Sequence, residues 1–325
     1  MRWLCGLLAC ALLAAAIPVS ARAQTAAYPN RVIHVVVGFA AGGGNDLFAR
    51  LVTQKVEENT GARIVIENKP GAGGRLAADY VAHQAVPDGY TIMVAASGAM
   101  SIASAIYPNL PYHPTRDFAP LKMIAHFPLV LVVNAKSPAK NVHDLVAWAK
   151  ANPEKANYAT SSPAFTIPTE LFKLKTGMPA MAIPYKSSSE ANMSVVAGET
   201  TFTISDGGPA VPLVKGGQTR ALAVTGAERS PELPDVPSMS ELGFAEVNTQ
   251  LWSGFFAPRG TPQPVADWLT AALERALADA VVQERLKTMA VTPGGPSGRE
   301  FAAWVDADIK AFADVVKAAN LKFEQ

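Results

Sequence analysis

The stretch Arg31–Asp46, which reads RVIHVVVGFAAGGGND, contains the pattern that decides the fold. Arg31–Val37 is β-branched and apolar, as expected of a strand buried on both faces. Glycines interrupt the run at 38–44, and Asn45 or Asp46 can then N-cap a helix. Apolar residues recur at helical spacing beyond this point, and Gly61 ends the helix. The segment therefore predicts a strand, a glycine loop and a helix.

The same order repeats in the next forty or so residues. Arg63–Glu67 predicts a second strand, Pro70–Gly74 a second glycine loop, and Arg75–Gln84 a second helix. Tyr90–Ala96 predicts a third strand. Helices that connect buried strands predict a parallel sheet with right-handed crossovers.

A second α/β series is expected after Pro128. The predicted strands are Leu129–Val133, Asn157–Thr160, Ala180–Tyr185, Thr201–Ile204 and Arg220–Val224, and the predicted helices are Val142–Ala151 and one around Thr169–Lys175. One further strand is expected at Leu251–Ala257, followed by two long amphipathic helices at Pro264–Met289 and Arg299–Ala319. Two α/β lobes with a helical tail predict a cleft between the lobes.

Composition excludes several classes of protein. The chain has 325 residues, with 28 Lys+Arg against 27 Asp+Glu, which argues against a nucleic-acid binder. Hydrophobic residues make up 49% and charged residues 17%, which argues against a disordered chain. Two cysteines cannot form a disulfide framework or a four-thiolate metal site.

The N-terminus has the pattern of a secretory signal. Arg2 precedes the uncharged apolar run Leu4–Ile17, and Ala21-Arg22-Ala23 matches a signal-peptidase site. We interpret residues 1–23 as a cleaved signal peptide, which directs the chain to the periplasm. An uncleaved anchor and a lipidated Cys10 are the alternatives.

No catalytic or metal-binding pattern is present in the sequence. The five histidines show no zinc-ligand spacing, and no serine-hydrolase elbow occurs. No Walker lysine or dinucleotide fingerprint accompanies the glycine loops. We therefore expect no catalytic residue, no metal and no cofactor.

The two glycine loops are the informative feature. Both follow a parallel strand and open a helix, at the sheet edge where α/β proteins bind ligands. Backbone N–H groups and helix N-termini there can hold an anion. The candidate ligand-binding residues of this lobe are Phe39, Gly43, Gly44, Asn45, Asp46, Gly73, Gly74 and Ser97. The alternative is that the glycines only permit tight turns and that Ser97 only caps a helix.

Polar residues of the second lobe could complete the site. Ser161 and Thr166 follow one strand, and Asp206 follows another. Asp206 would repel an anion directly; it could orient water, accept from a ligand hydroxyl or ammonium, or cap its helix. Lys186 could pair with a carboxylate or be a solvated surface charge. Phe165 suggests a ligand with an apolar or aromatic body, with burial in the core as the alternative.

Several segments, taken in order, resemble the substrate-binding proteins of tripartite tricarboxylate transporters, the Bug/TctC family. The matching segments include Gly42–Asp46 with Ala49-Arg50, Glu67–Gly74, Pro87–Tyr90, Ala149–Pro153, Pro184–Lys186, Arg220–Thr225, Pro234–Ser238 and Phe255–Pro262. The match extends over essentially the whole chain after residue 23. The sequence departs from the family pattern at Ala40-Ala41, at Phe165-Thr166 and at Ser187–Ser189.

The resemblance implies an α/β, two-lobed periplasmic binding protein of type II, the Venus-flytrap class. It implies that residues 24–125 and 250–325 form one lobe and residues 126–249 the other. A small carboxylate, either a dicarboxylate or an aromatic acid, would be passed to a two-subunit membrane permease. We expect a monomer. A ligand sensor for a signalling receptor and a secreted α/β enzyme are the alternative functions.

Overall fold

The computed structural model describes residues 28–185, 187–289 and 291–323. The predicted signal peptide and Lys186 lie outside the described residues. No described helix is both long and apolar enough to cross a membrane.

The first three strands form the predicted parallel unit. Strand β1 (Ile33–Val37) pairs in parallel with both β2 (Ile64–Asn68) and β3 (Thr91–Ala96). Helix α1 (Gly44–Thr60) connects β1 to β2, and α2 (Arg75–His83) lies between β2 and β3. Gly61 ends α1 at a φ of 71°, a left-handed conformation that glycine adopts without strain. A π-helical turn (Gly98–Ile102) and the short α3 (Ala103–Ile106) follow β3.

Strand β4 (Phe118–Asn134) connects the two halves of the molecule. Its residues up to Pro128 pair antiparallel with β9 (Gln250–Pro258), and its residues from Leu129 pair with β7 (Phe202–Asp206). The predicted strand Leu129–Val133 is therefore only the end of a 17-residue strand. The predicted lobe boundary between residues 125 and 126 falls inside β4, three residues before the change of partner, and the lobe limits stay a prediction.

The second half repeats the arrangement of the first. Its remaining strands are β5 (Asn157–Thr160), β6 (Met181–Pro184) and β8 (Thr219–Val224), and its helices are α4 (Val142–Ala151), α5 (Pro163–Thr176), α6 (Ser188–Ala197) and α7 (Gly207–Lys215). Strand β5 pairs in parallel with β6 and β7, while β8 pairs antiparallel with β4. The prediction of a parallel sheet is thus confirmed for β1–β3 and β5–β7. That prediction concerned the first three strands; the later strand β4 runs antiparallel to β7, β8 and β9.

The C-terminal region contains three helices where two were predicted. They are α8 (Gln263–Leu277), α9 (Ala280–Thr288) and α10 (Gly298–Ala318), and the two-residue β10 (Thr292–Pro293) pairs with β4. The predicted helix Pro264–Met289 breaks because Asp279 accepts hydrogen bonds from the backbone of Val281 and Val282 and so caps a new helix. The N-cap predicted for α1 at Asn45 or Asp46 is wrong, because Gly43 occupies that position.

Each half has its own hydrophobic core. One core lies between β1, β3 and β9 and the helices α1 and α8, and includes Val35, Val52 and Leu273. Another surrounds β4, β5 and β7 in the second half and includes Leu131 and Tyr158. Phe312 of α10 packs into the core of the second half, while Phe301 of the same helix packs against Trp252 and Phe256 of the first. Helix α10 therefore packs against the cores of both halves and connects them.

Candidate functional site

A cavity of ≈ 1130 Å³ lies between the two halves of the molecule. Eight of the twelve predicted site residues line it: Phe39, Gly44, Asn45, Gly73, Ser97, Ser161, Phe165 and Asp206. Gly43, Asp46, Gly74 and Thr166 are not among its lining residues. The carboxyl ends of strands from both halves thus meet at one site, as the glycine loops predicted. A direct contact between any of the twelve residues and a ligand stays a prediction.

The first glycine loop presents the N-terminus of α1 to the cavity. Leu47 is the first residue of α1 whose backbone N–H bonds back to the preceding turn, to the carbonyl of Gly43 at 3.0 Å. The N–H groups of Gly44 and Asn45 precede it and, as expected of the first helical turn, have no partner inside the helix. These N–H groups are donors suited to an anion at the positive end of the helix dipole.

Asp46 supports the first loop from behind. Its carboxylate accepts hydrogen bonds from the backbone N–H of Gly42, from Nε of Arg50 and from Nδ2 of Asn68, each at 2.9 Å. The Arg50 guanidinium, helped by the other two donors against the effect of burial, lowers the pKa of Asp46 to about 2. Asn68 also donates to the carbonyl of Phe39 at 3.0 Å. The network ties the loop to β2, and Asp46 itself is buried and does not line the cavity.

Ser97 and Asn45 present hydrogen-bonding groups to the cavity from the floor of the first half. Ser97 is 1% exposed, and its Oγ accepts from the backbone N–H of Trp252 at 3.4 Å. Its hydroxyl proton is therefore free to donate. Ser253, also 1% exposed, donates through Oγ to Oδ1 of Asn45 at 2.6 Å, which leaves the Asn45 amide N–H groups for a ligand.

Arg75 is the site residue that the sequence argument missed. The glycine loops suggested an anion site that needs no arginine, but Arg75 lines the cavity beside Gly73. Its Nε donates to the carbonyl of Ala72 at 3.0 Å, and its guanidinium lies 4.1 Å from the centre of the Tyr107 ring. Stacking of this kind holds a guanidinium in place and leaves its terminal N–H groups available. The signal was present in the sequence, since Arg75 directly follows the second glycine loop.

The second half contributes the start of two helices. Ser161, Ser162 and Phe165 lie at the N-terminus of α5, and Thr166 is turned inward, with its Oγ1 2.8 Å from that of Thr160 and 3.0 Å from the carbonyl of Ser162. Asp206 occupies the N-cap position of α7 but makes no side-chain capping bond. Its carboxylate accepts only from Oγ of Ser205, at 3.2 Å, among the described residues. Asp206 thus borders the cavity and makes no capping bond, while its contact with a ligand stays a prediction.

A buried carboxyl lies behind the floor of the cavity. Nε1 of Trp252 donates to Oδ2 of Asp308 on α10 at 2.8 Å. Burial raises the pKa of Asp308 to about 6, against the opposing effect of the Ser101 hydroxyl and the Trp252 indole. Because the folded protein holds this proton more tightly than the unfolded chain, the contribution of Asp308 to stability is greatest below about pH 4 and is lost as the pH rises through about 6.

We expect Asp308→Asn to stabilise the protein at neutral pH. The asparagine keeps an acceptor for Trp252 and removes a buried charge, so the free energy of unfolding near pH 7.5 should rise by about 1–3 kcal/mol. Near pH 4.5 the gain should shrink to about a third, because Asp308 is then protonated in the folded state but still mostly ionised in the unfolded chain. Urea denaturation at the two pH values measures this. Asp306→Asn, at an exposed position of the same helix, is the control, and a gain independent of pH would contradict the assignment.

No group of three or more His, Cys, Asp or Glu side chains in the described part of the chain is arranged to hold a metal ion.

The cavity combines backbone donors, hydroxyls and one stacked arginine between two α/β halves. Such an arrangement defines a solute-binding protein of the two-lobed periplasmic type.

Comparison with known proteins confirms this class. Residues 48–321 match the profile of the TctC family, described as the tripartite tricarboxylate transporter family receptor. The chain belongs to this family. Protein BugT of Bordetella pertussis is 32% identical over 301 residues, which cover 91% of this chain and 92% of BugT.

Two solved structures of Rhodopseudomonas palustris proteins share the fold. Rpa4515 with adipate is 33% identical with a TM-score of 0.79, covering 91% of this chain and 99% of that one. MatC with bound malate is 33% identical with a TM-score of 0.75, covering 89% of this chain and 100% of that one. The family and the fold predicted from the sequence are therefore confirmed.

Proposed function

We propose that this protein is a periplasmic receptor that captures a small carboxylate and delivers it to a two-subunit membrane permease. The observation that carries the proposal is the group of donors in the first half, where the N-terminus of α1, the Ser97 hydroxyl and the Arg75 guanidinium all border one cavity. Two related proteins bind the carboxylates adipate and malate, which supports the same class of ligand here.

In the proposed role, the protein binds its ligand and leaves it chemically unchanged. Among the described residues, the Ser97 hydroxyl is hydrogen-bonded to no base and contacts the backbone of Trp252, and the side-chain partner of Asp206 is Ser205. A nucleophile and its base must lie within hydrogen-bonding reach of each other. The donors around the cavity are instead suited to holding a charge that is already present on the ligand.

A thermal-shift screen of the purified chain without residues 1–23 tests the proposal. We expect at least one carboxylate from a panel of aliphatic, hydroxylated and aromatic acids to raise the Tm, with a stabilisation that grows with free ligand concentration to about 2.7 kcal/mol at 100 times Kd. Arg75→Ala should weaken binding at least about tenfold, because the charge-assisted bonds to the carboxylate are lost. Arg116→Ala, at a side chain that is 74% exposed, is the matched control.

The ligand recovered from the complex should be chemically unchanged. A panel in which no carboxylate stabilises the chain would exclude the proposed receptor role, and turnover of a bound acid would indicate an enzyme instead. Equal affinities of the Arg75→Ala variant and the unmodified chain would remove Arg75 from the site.

A further inference from the structure

We infer that the ligand carries a single carboxylate on an apolar body, and that a second carboxylate at its far end is disfavoured. The inference rests on the proposed function and narrows it to a class of acids. It depends on the side chains that the second half presents to the cavity.

The side of the cavity formed by the second half includes an apolar wall next to Ser161 and Ser162. Phe165 at the start of α5, Val211 on α7 and Phe127 on β4 line the cavity from this side, and Ile106 and Leu251 line the part between the halves. Phe165 and Phe127 also pack against the core of the second half, which holds their rings in place. Binding of an aliphatic chain or an aromatic ring against such a wall is favourable, because it removes apolar surface from water.

The volume of the cavity leaves room for such a body. At ≈ 1130 Å³ it is slightly above the range of about 300–1,000 Å³ that is usual for small-molecule pockets. A carboxylate held at Arg75 and the N-terminus of α1 would fill only the end of the cavity in the first half. The remaining space borders the apolar wall and Asp206.

Asp206 makes the far end unfavourable for a second carboxylate. Its carboxylate borders the cavity and is paired with no cation among the described side chains, since its single side-chain donor is Ser205. The N-terminus of α7 behind Asp206 offsets part of this negative charge. A ligand carboxylate placed beside Asp206 would still face a like charge next to apolar surface, where such repulsion is poorly screened.

Among the described residues of the second half, which do not include Lys186, a single lysine lines the cavity, and it is already paired. Nζ of Lys215 on α7 lies 2.6 Å from Oε2 of Glu232, and both side chains border the cavity. This pair has no net charge to offer a ligand. By contrast, Arg75 in the first half has no carboxylate partner among the described residues. The charges around the cavity therefore match an acid with one ionised end.

Matched pairs of acids test the inference by isothermal titration calorimetry. Hexanoate and adipate have six carbons each and differ in whether the far end is a methyl group or a carboxylate. Benzoate and terephthalate differ in the same way on an aromatic ring. We expect the monoacid of each pair to bind at least about tenfold more tightly than the diacid.

Two variants should raise the affinity for adipate relative to the affinity for hexanoate. Asp206→Asn removes the like charge at nearly constant shape, so the affinity for adipate relative to hexanoate should rise about tenfold. Phe165→Ser removes the ring from the wall, so the affinity for hexanoate should fall about tenfold, with a smaller change for adipate. Asp235→Asn, outside the cavity lining, is the control for an altered charge, and thermal unfolding confirms that each variant folds.

The possible results separate this inference from the proposed function. Tighter binding of adipate or terephthalate than of the monoacid, or a ratio that Asp206→Asn leaves unchanged, would overturn the inference and leave the receptor role intact. Failure of all carboxylates to bind would overturn both. A preference for the monoacid that both variants reduce supports the inference.

Discussion

Replacing Asp46 with alanine is expected to abolish carboxylate binding and to lower the free energy of unfolding by about 2–4 kcal/mol. The side chain is 2% exposed and accepts three hydrogen bonds, from Gly42, Arg50 and Asn68. Alanine would leave the backbone N–H of Gly42, the amide of Asn68 and the Arg50 guanidinium without this acceptor, and hydrogen bonds to a charged group are stronger than neutral ones. The first glycine loop would lose its connection to β2, and with it the position of the α1 N-terminus at the cavity.

The pH dependence of this network follows from the lowered pKa of Asp46. Its contribution to stability is fully present above the ordinary pKa of 3.8 and is lost as the pH falls through about 2. The loss caused by Asp46→Ala should therefore be the same from about pH 5 to pH 8, in contrast to the effect of Asp308→Asn.

Urea denaturation and ligand titration of Asp46→Ala measure the two effects together. Glu58→Ala is the matched control, since Glu58 lies on the same helix, is half exposed, and contacts Lys55 and Gln54 at the surface. An exposed ion pair of this kind contributes little. A folded Asp46→Ala variant that binds the carboxylate with unchanged affinity would show that the loop does not depend on Asp46.

Replacing Gly38 with alanine is expected to separate the two glycine loops. A Cβ at this position would lie 2.7 Å from Cα and 3.1 Å from the carbonyl oxygen of Gly74, in the second loop, and 3.2 Å from Cβ of Ala77. Two of these contacts are with backbone, which cannot move aside as a flexible side chain would. Gly74 is itself held at a φ of 95°, so it has little freedom to adjust.

The clash should cost about 1–3 kcal/mol of stability and weaken carboxylate binding at least about tenfold. The reason is that the loops must stay adjacent for the α1 N-terminus and Arg75 to reach the same carboxylate. Thermal unfolding and titration with the best ligand of the panel measure both effects. At Gly98 an added Cβ meets no atom within 4 Å, so Gly98→Ala should be folded normally. Gly38→Ala with unchanged Tm and affinity would show that the close approach of the loops is unimportant.

The helices and strands, and the part of the site that lies in the first half of the molecule, were largely predictable from the sequence. The strands β1–β3, the glycine loops and the end of α1 at Gly61 depend on residues that are close together in the chain. The positions of Gly44, Asn45, Gly73 and Ser97 follow from the rule that strands of a parallel sheet end at one edge. Local patterns therefore predicted which loops meet at the cavity.

The same patterns were misleading where distant parts of the chain decide the outcome. Pro120 and Pro128 lie inside β4, although proline normally interrupts a strand. Pairing with β9 bulges at Pro120, and the strand changes its partners after Pro128, so both prolines are accommodated. Asp46 and Thr166 do not line the cavity, because a polar residue in a loop can face the ligand or support the loop, and its partners distinguish the two.

The sequence by itself determined the α/β class, the two glycine loops and the membership in the TctC family, because these depend on local periodicity and on motifs read in order. Only the tertiary structure decided that β4 runs through both halves, that Arg75 stacks on Tyr107 at the cavity and that Asp206 borders it without an ion-pair partner among the described residues. The physical reason is that burial and pairing of these groups depend on residues far away in the chain. The charge that selects a ligand is likewise a property of the assembled cavity.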